Sequence, residues 1–269
     1  VSASKLRRAQ EAIIQLRPYA GKLQEILANV SDSLANDEEN VFVRSKEPER
    51  ILFIVVTSNR GLCGAFNANI IRKTIQLMQE DYRSYAQKDN LHLFTIGKRG
   101  SDYFTRKKFH VIKSRNDLFD GLNFNSASTV AEELIQKYLT REYDKIIMIY
   151  NQFKNAAVQI LSTEQFLPIV LPAKKEEKQI IQDYIFEPSK DYIVTELIPR
   201  SLKIQFYKAL LDSNASDHGA RMTAMHHATD NATEMIRDLR LNYNKARQAA
   251  ITKELLEIVS GAEALKMKK

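Results

Sequence analysis

The last stretch of the chain, from Asp191 to Lys269, admits few folds. After Pro199 it contains no proline, and Gly219 and Gly261 are its only glycines. Ala, Leu, Met, Lys, Arg, Gln and Glu dominate it, the side chains that lose least freedom in a helix. Read as one helix from Ser201 to Met267 at about 1.5 Å per residue, it would run on the order of 100 Å. That exceeds the diameter of a small domain, so most of it must project from any globule that the chain forms. A projecting helix needs a partner.

The start of the chain offers one. Leu6, Ala9, Ile13, Leu16, Ala20, Leu23, Leu27, Val30 and Leu34 alternate spacings of three and four without a miss. At 44% hydrophobic content, chance would fill about four of those nine positions. The stripe is narrow and flanked by Lys5, Arg7, Arg8, Glu11, Arg17 and Lys22, which makes it a coiled-coil seam rather than a broad core face. Pro18 predicts a kink near Gln15–Pro18. The polar run Asn36–Asn40 predicts the end of the helix.

Between the two helices lies an alternation of strand and helix patterns. Ile51–Thr57 is an apolar strand of the kind buried on both faces, and a helix is expected from about Ala65 to Ala86. Leu91–Ile96 reads as a second strand, followed by a short helix, with Val111-Ile112 as a short strand. A helix capped by Ser126 or Ser128 runs through Leu139. Lys145–Tyr150 and Ala156–Thr163 continue the sheet, and Tyr184–Phe186 is an edge piece. Ala173–Lys178 reads as a charged surface loop, Pro188 closes the domain and Ser189 caps the final helix.

This order implies a Rossmann-like parallel α/β sheet. The expected fold class is therefore α/β, with a long antiparallel two-helix coiled coil formed by the terminal segments around the inserted sheet domain. The expected divisions are residues 1–40, 50–188 and 190–269. The chain starts in helical sequence without an initiator Met, so a preceding segment is expected.

The final helix has a seam rich in small residues, followable at Met225, Ala228, Ala232, Met235, Leu239, Asn242, Ala246 and Ala249. Past that point Ile251, Leu255, Leu256, Ile258, Val259, Ala262 and Leu265 cover more than one face. A helix apolar over so much of its circumference must be surrounded. The N-terminal helix is too short to do that alone, so other chains are expected around this end.

Catalytic and ligand chemistry is hard to find. The turn Ser58–Asn67 sits where a phosphate loop would, but Gly61 and Gly64 give neither dinucleotide nor P-loop spacing; a tight turn needing positive φ at glycine is the expectation. His218, His226 and His227 form no i, i+4 metal pair and read as solvated. Glu132 and Glu133 read as solvated charges, as does the basic set Lys98, Arg99, Arg106, Lys107, Lys108, Lys113 and Arg115, which lacks the interleaved aromatics of a nucleic-acid surface. Cys63 is the only cysteine, which excludes an intrachain disulfide and suits a small buried hydrophobe. Net charge is +7, and no apolar run reaches the ~18 residues of a membrane span.

Three stretches resemble one family closely: Ser58-Asn-Arg-Gly-Leu-Cys-Gly-Ala-Phe-Asn67, Ala220-Arg-Met-Thr-Ala-Met225 with Ala228-Thr-Asp-Asn-Ala232, and Tyr243-Asn-Lys-Ala-Arg-Gln-Ala-Ala-Ile-Thr252. The pattern I-T-x-E-x-x-E-x-x-x-G-A-x-A is met by Ile251, Thr252, Glu254, Glu257, Gly261, Ala262 and Ala264, and Ser4–Gln10 and Arg17–Ala20 add to it. Over essentially its whole length the chain resembles the gamma subunit of the F-type ATP synthase, the central-stalk rotor.

The resemblance implies a rotor that catalyses nothing and binds no cofactor or metal, coupling ring rotation to the nucleotide sites of other subunits. It implies as partners the alpha and beta subunits, the epsilon subunit and the c-ring, with no nucleic acid. It also implies that Arg247, Gln248 and Thr252 contact a beta subunit, that Tyr184 and Glu187 face the c-ring or epsilon, and that Ile251, Leu255, Leu256, Ile258, Val259 and Leu265 form an enclosed tip. The expected location is the cytoplasmic side of a bacterial plasma membrane, reached through the complex. Two alternatives stay open: an α/β nucleotide-binding enzyme with a coiled-coil tether, and a scaffold for another ring.

Overall fold

The structure is a computed structural model that describes residues 2–35, 41–42, 47–169 and 196–266, with side chains for all but residues 17, 24–35 and 265–266. The chain divides into two units, Val1–Thr223 and Ala224–Lys269.

In the first unit, β1 (Ile51–Val56) organises the rest. Its six consecutive apolar residues are all fully buried, which a strand achieves at the centre of a sheet covered on both faces. It pairs in parallel with β2 (Leu91–Ile96) on one side and with β4 (Lys145–Phe153) on the other, Ile51 lying opposite both Leu91 and Lys145. β3 (Val111–Arg115) and β5 (Gln159–Leu167) complete the order β3-β2-β1-β4-β5.

Because strand side chains alternate, β1 feeds two separate cores. Leu52, Ile54 and Val56 pack with Leu134 and Tyr138 of α5 (Phe124–Leu139) and with Leu202 and Phe206 of α6 (Ile198–Lys266). Ile51, Phe53 and Val55 pack with Ile70 and Leu77 of α2 (Phe66–Gln79) and Phe104 of α4 (Lys98–Arg106).

The seam of α1 (Ser2–Ala35) finds its partner in α6. Leu6, Ala9 and Ile13 cluster with Leu211 and Ala215, whereas Ala20 and Leu23 cluster with Ile204. Numbers rise along α1 as they fall along α6, so the two helices run antiparallel. Burying Leu6, Ile13 and Leu23 contributes roughly 1.5–3 kcal/mol apiece. The exposed Arg7–Glu11 pair on the same helix contributes about 0.3–0.5 kcal/mol, so the seam holds α1 in place. The helix is continuous through Pro18 and is described as far as Ala35; the expected end at Asn36–Asn40 lies outside the described residues.

Several expectations are corrected. The sheet is mixed, because β5 runs antiparallel to β4. The link Lys154–Val158 is too short for a crossover, which takes about a dozen residues, and Asn155 Oδ1 accepts from the amides of Ala157 and Val158 at 3.0 and 2.7 Å to shape a hairpin turn. Asn123, not a serine at 126 or 128, caps α5: Ser126 N donates to Asn123 Oδ1 at 2.9 Å while the Ser126 hydroxyl accepts from Asn123 N.

The helix expected over Ala65–Ala86 is two, α2 and α3 (Arg83–Gln87). The break lets Tyr82 pack edge-on against Phe53, ring centroids 5.3 Å apart. β3 and β4 both run past their expected ends. The strand expected at Tyr184–Phe186, the loop Ala173–Lys178, Pro188 and Ser189 lie outside the described residues.

Gly97 follows β2 at φ 95°, and a Cβ there would overlap the Thr57 carbonyl oxygen. Gly64, at φ 58°, has open space around it. We expect Gly64→Ala to cost about 1–2 kcal/mol for the left-handed backbone alone, and Gly97→Ala to cost more, because strain and clash add. Urea unfolding midpoints of the two variants check the ranking; equal losses would refute it.

Candidate functional surfaces

The turn after β1 is built to be filled from within. Ser58 N donates to Asn67 Oδ1 at 2.9 Å, the Ser58 hydroxyl donates to the Arg60 carbonyl at 2.6 Å, and Asn67 Nδ2 donates to Ser58 Oγ at 2.8 Å. Asn59 bridges outward, donating to the Asn116 carbonyl and accepting from Lys98 N. The Thr57 hydroxyl accepts from Gly100 N at 2.9 Å. Gly64 has the positive φ expected of a tight turn, but the second such residue is Leu62 at φ 62°, not Gly61. Gly61 meets only the tip of the exposed Arg99 side chain, so a Cβ there would require that guanidinium to shift.

Arg221 of α6 closes this turn. Its guanidinium pairs with Asp217 through two bonds of 2.7 and 2.9 Å, and Nε donates to the Gly61 carbonyl at 3.3 Å. Both side chains are nearly buried, and Nη2 reaches the Arg60 carbonyl at 3.4 Å. On the opposite side of the same helical turn, Gly219 lies against the hairpin link, where a Cβ would sit 3.0 Å from the Ala156 carbonyl oxygen. Within Ala220–Met225, the sequence alone assigns Arg221 no role. The Asp-x-x-x-Arg spacing on a helix is the signal that would have found the pair.

A polar cavity of about 320 Å³ adjoins the turn, lined among others by Lys5, Ser58, Arg60, Asp217, His218 and Arg221. His218 is therefore half-buried, not the solvated residue expected, whereas His226 and His227 are exposed. Burial pushes the His218 pKa down, helped by Arg221, Lys5 and Arg60 and opposed by Asp217. Cys63 is buried as expected and its pKa is raised, chiefly by burial and then by Asp217, so it stays a thiol at neutral pH. Glu133 and Glu132 are ion-pair partners of Lys113 and Lys203 rather than free solvated charges. Arg115 likewise pairs with Asp117.

The second unit, Ala224–Lys269, presents a different surface. Met225, Met235, Leu239, Ile251, Leu255, Leu256, Ile258 and Val259 are all exposed. At about 100° per residue, Ile251, Leu255, Ile258 and Ala262 share one stripe, and Gln248, Thr252, Leu256 and Val259 share the next. Arg247 borders the first stripe, and together they span roughly half the circumference. Lys253 and Glu257 face the other way, 3.9 Å apart. Arg247, Gln248 and Thr252 are thus exposed members of one continuous, largely apolar arc. Leu265 continues the first stripe by its backbone position. Tyr184 and Glu187 lie outside the described residues.

These features define a class of protein: an α/β sheet domain inserted between two helices that pack antiparallel, the second of which carries an unpaired apolar arc near its end. Residues 1–265 match the family model described as ATP synthase. The ATP synthase gamma chain of Christiangramia forsetii is 52% identical over 265 residues, covering 98% of this chain and 90% of that protein. The gamma chain of Flavobacterium johnsoniae is 53% identical with the same coverage.

Among solved structures, a chain of the Euglena gracilis mitochondrial ATP synthase (OSCP/F1/c-ring) has a TM-score of 0.62 at 20% identity, over 98% of this chain and 95% of that one. A chain of the Tetrahymena thermophila mitochondrial central stalk and c-ring has a TM-score of 0.59 at 21% identity, over 85% and 99%. These two likenesses support the fold. The chain belongs to the ATP synthase gamma chain family.

Two predictions follow from the turn. Arg221→Ala strands a nearly buried carboxylate and should cost about 3–5 kcal/mol, whereas Arg221→Ala with Asp217→Ala should cost less than that single change. Urea unfolding tests the order, and a double variant weaker than Arg221→Ala would refute it. Since the folded state holds His218 neutral, the unfolded chain takes up its proton first as pH drops through about 6.5, and stability falls. The unfolding midpoint should drop from about pH 7.5 to about pH 5.5, and drop less in His218→Gln. An identical drop would exclude His218 as a source.

Proposed function

We infer that the chain is the central-stalk rotor of an F-type ATP synthase, coupling c-ring rotation to the nucleotide sites of the beta subunits. The observation that carries this reading is the half-apolar arc near the end of α6, in a chain of the gamma family. Exposed residues such as Ile258 (68%) and Leu256 (64%) have no covering partner among the described residues, and a sleeve formed by the alpha and beta subunits would supply one. Ile251, Leu255, Leu256, Ile258, Val259 and Leu265 then form the enclosed tip, with Arg247, Gln248 and Thr252 touching a beta subunit. Tyr184 and Glu187 are assigned to the c-ring or epsilon side.

The proposed division is a helix within residues 1–40, a sheet domain within 50–188 and a long helix within 190–269. Among the described residues no helix is long and apolar enough to cross a membrane, so attachment runs through the complex. Bacterial relatives favour the cytoplasmic face of a plasma membrane.

In this role the chain supplies no catalytic group. It works by contacting chemically identical beta subunits unequally, since a contact moves a conformational equilibrium only through its different strength in the two states. Swinging one site from mostly open to mostly closed takes about 5.5 kcal/mol, which many modest contacts along a helix can share. The rival reading, nucleotide binding at the Ser58–Asn67 turn, is disfavoured by the internal use of the Ser58, Asn59 and Asn67 polar groups.

Co-purification with alpha and beta subunits and imaging of the particle should place α6 within a six-membered ring; failure to recover those subunits would overturn the reading. In the assembled complex, Arg247→Ala with Gln248→Ala should lower coupled ATP synthesis about two- to tenfold, or ~0.4–1.4 kcal/mol, while single-site nucleotide hydrolysis is unchanged. Loss of that hydrolysis in an intact assembly would refute the non-catalytic assignment.

A further inference from the structure

At the amino ends of β2 and β3, away from the turn and its cavity, three metal-ligand side chains meet. Asp89 lies in the turn before β2, His92 on β2, and His110 immediately before β3. The Leu93 amide donates to the His110 carbonyl at 2.9 Å, which fixes the two histidines side by side. Their rings stack with centroids 3.9 Å apart and planes tilted by 39°. Asp89 adopts φ 56°, a left-handed conformation that aspartate tolerates better than most residues.

We propose that Asp89, His92 and His110 form a site for a divalent transition-metal ion, with zinc as the reference ligand. One ligand atom from each residue lies within 4.8 Å of the others. His110 Nδ1 and Asp89 Oδ1 are 3.3 Å apart, close to the roughly 3.4 Å edge of a tetrahedron with metal–ligand bonds of about 2.0–2.1 Å. Both side chains are substantially exposed, so rotation of either closes the remaining distance to His92 without disturbing a core, and an ion can enter from solvent.

His92 is held for the purpose by Tyr143. Its Nδ1 lies 2.8 Å from the Tyr143 hydroxyl and its Nε2 lies 3.1 Å from the Asp89 carbonyl oxygen. Burial keeps the phenol protonated, with a pKa pushed up to about 12. The Asp89 carbonyl can only accept, so without metal Nε2 carries the imidazole proton and donates to it while Nδ1 accepts from the Tyr143 hydroxyl; an ion takes Nε2 by shifting that proton to Nδ1, which then donates to the Tyr143 oxygen. That is the outer hydrogen bond that orients a ligating histidine. Two imidazoles and one carboxylate suit zinc, cobalt, nickel or copper rather than calcium or magnesium, which prefer all-oxygen sets. Three protein ligands leave a fourth position for water. The site stands independently of the rotor assignment.

Calorimetry of the whole purified chain with zinc chloride should show one ion bound per chain, and cobalt should bind with the intense visible absorption of a tetrahedral site. His110→Ala and Asp89→Asn should each weaken binding at least tenfold with unchanged circular dichroism, and Tyr143→Phe about tenfold through loss of the orienting bond. His226→Ala with His227→Ala should leave binding as it was. Absence of binding at about 1 mM zinc, binding indifferent to His110→Ala, or binding lost with His226 and His227 would each overturn the proposal.

Discussion

The Arg221 guanidinium, paired with Asp217 and donating to the Arg60 and Gly61 carbonyls, joins the long helix to the end of the central strand. Apolar packing alone resists separation but tolerates sliding and rotation, so Arg221 works beside the Ser216 hydroxyl, which donates to the Asn151 carbonyl of β4 at 3.1 Å. A bidentate pair with directed bonds to backbone carbonyls fixes the helix about its own axis. The close approach of Gly219 to Ala156 adds a second point of contact on the opposite side of the same helical turn. A chain that must pass torque between a helix and a sheet domain needs resistance to twisting, and these two contacts provide it more effectively than added buried area.

The antiparallel seam does different work. Leu6, Ala9 and Ile13 against Leu211 and Ala215, and Ala20 and Leu23 against Ile204, keep two helices side by side with small residues at close approach. This seam was readable from the sequence because a narrow stripe at alternating spacings of three and four has one efficient burial geometry. β1 was readable for a related reason: six consecutive apolar residues leave neither face for water.

What could not be read turned on local competition. Asn123 and Ser126 are both good caps, and their reciprocal bonding decided which residue begins α5. The two pieces α2 and α3 look like one helix in composition, and only the Phe53 contact to Tyr82 shows why the chain breaks. The direction of β5 was set by a link of five residues whose extent depended on strand ends, the least definite part of any sequence reading. The roles of Arg247, Gln248 and Thr252 came from resemblance, since an exposed polar residue on a helix has no distinguishing periodicity. The burial of His218 depends on α1 and the turn, both distant in sequence, so its own helix pattern does not show it.

The second unit raises a question of magnitude. Eleven large apolar side chains between Met225 and Val259 are exposed, and burying each fully would contribute roughly 1.5–3 kcal/mol. The gross total far exceeds the roughly 5.5 kcal/mol needed to shift one site between states. Tight uniform burial would therefore lock a rotor in one position. A rotor requires instead that contacts be nearly equal at each resting position and differ locally by a small fraction of their sum. Small residues such as Ala228, Ala232, Ala246 and Ala249 serve that need, because they present a smooth surface without knobs to catch. The larger and polar side chains between them, with Arg247 and Gln248 among the proposed contacts, are then where differences between neighbouring subunits would register.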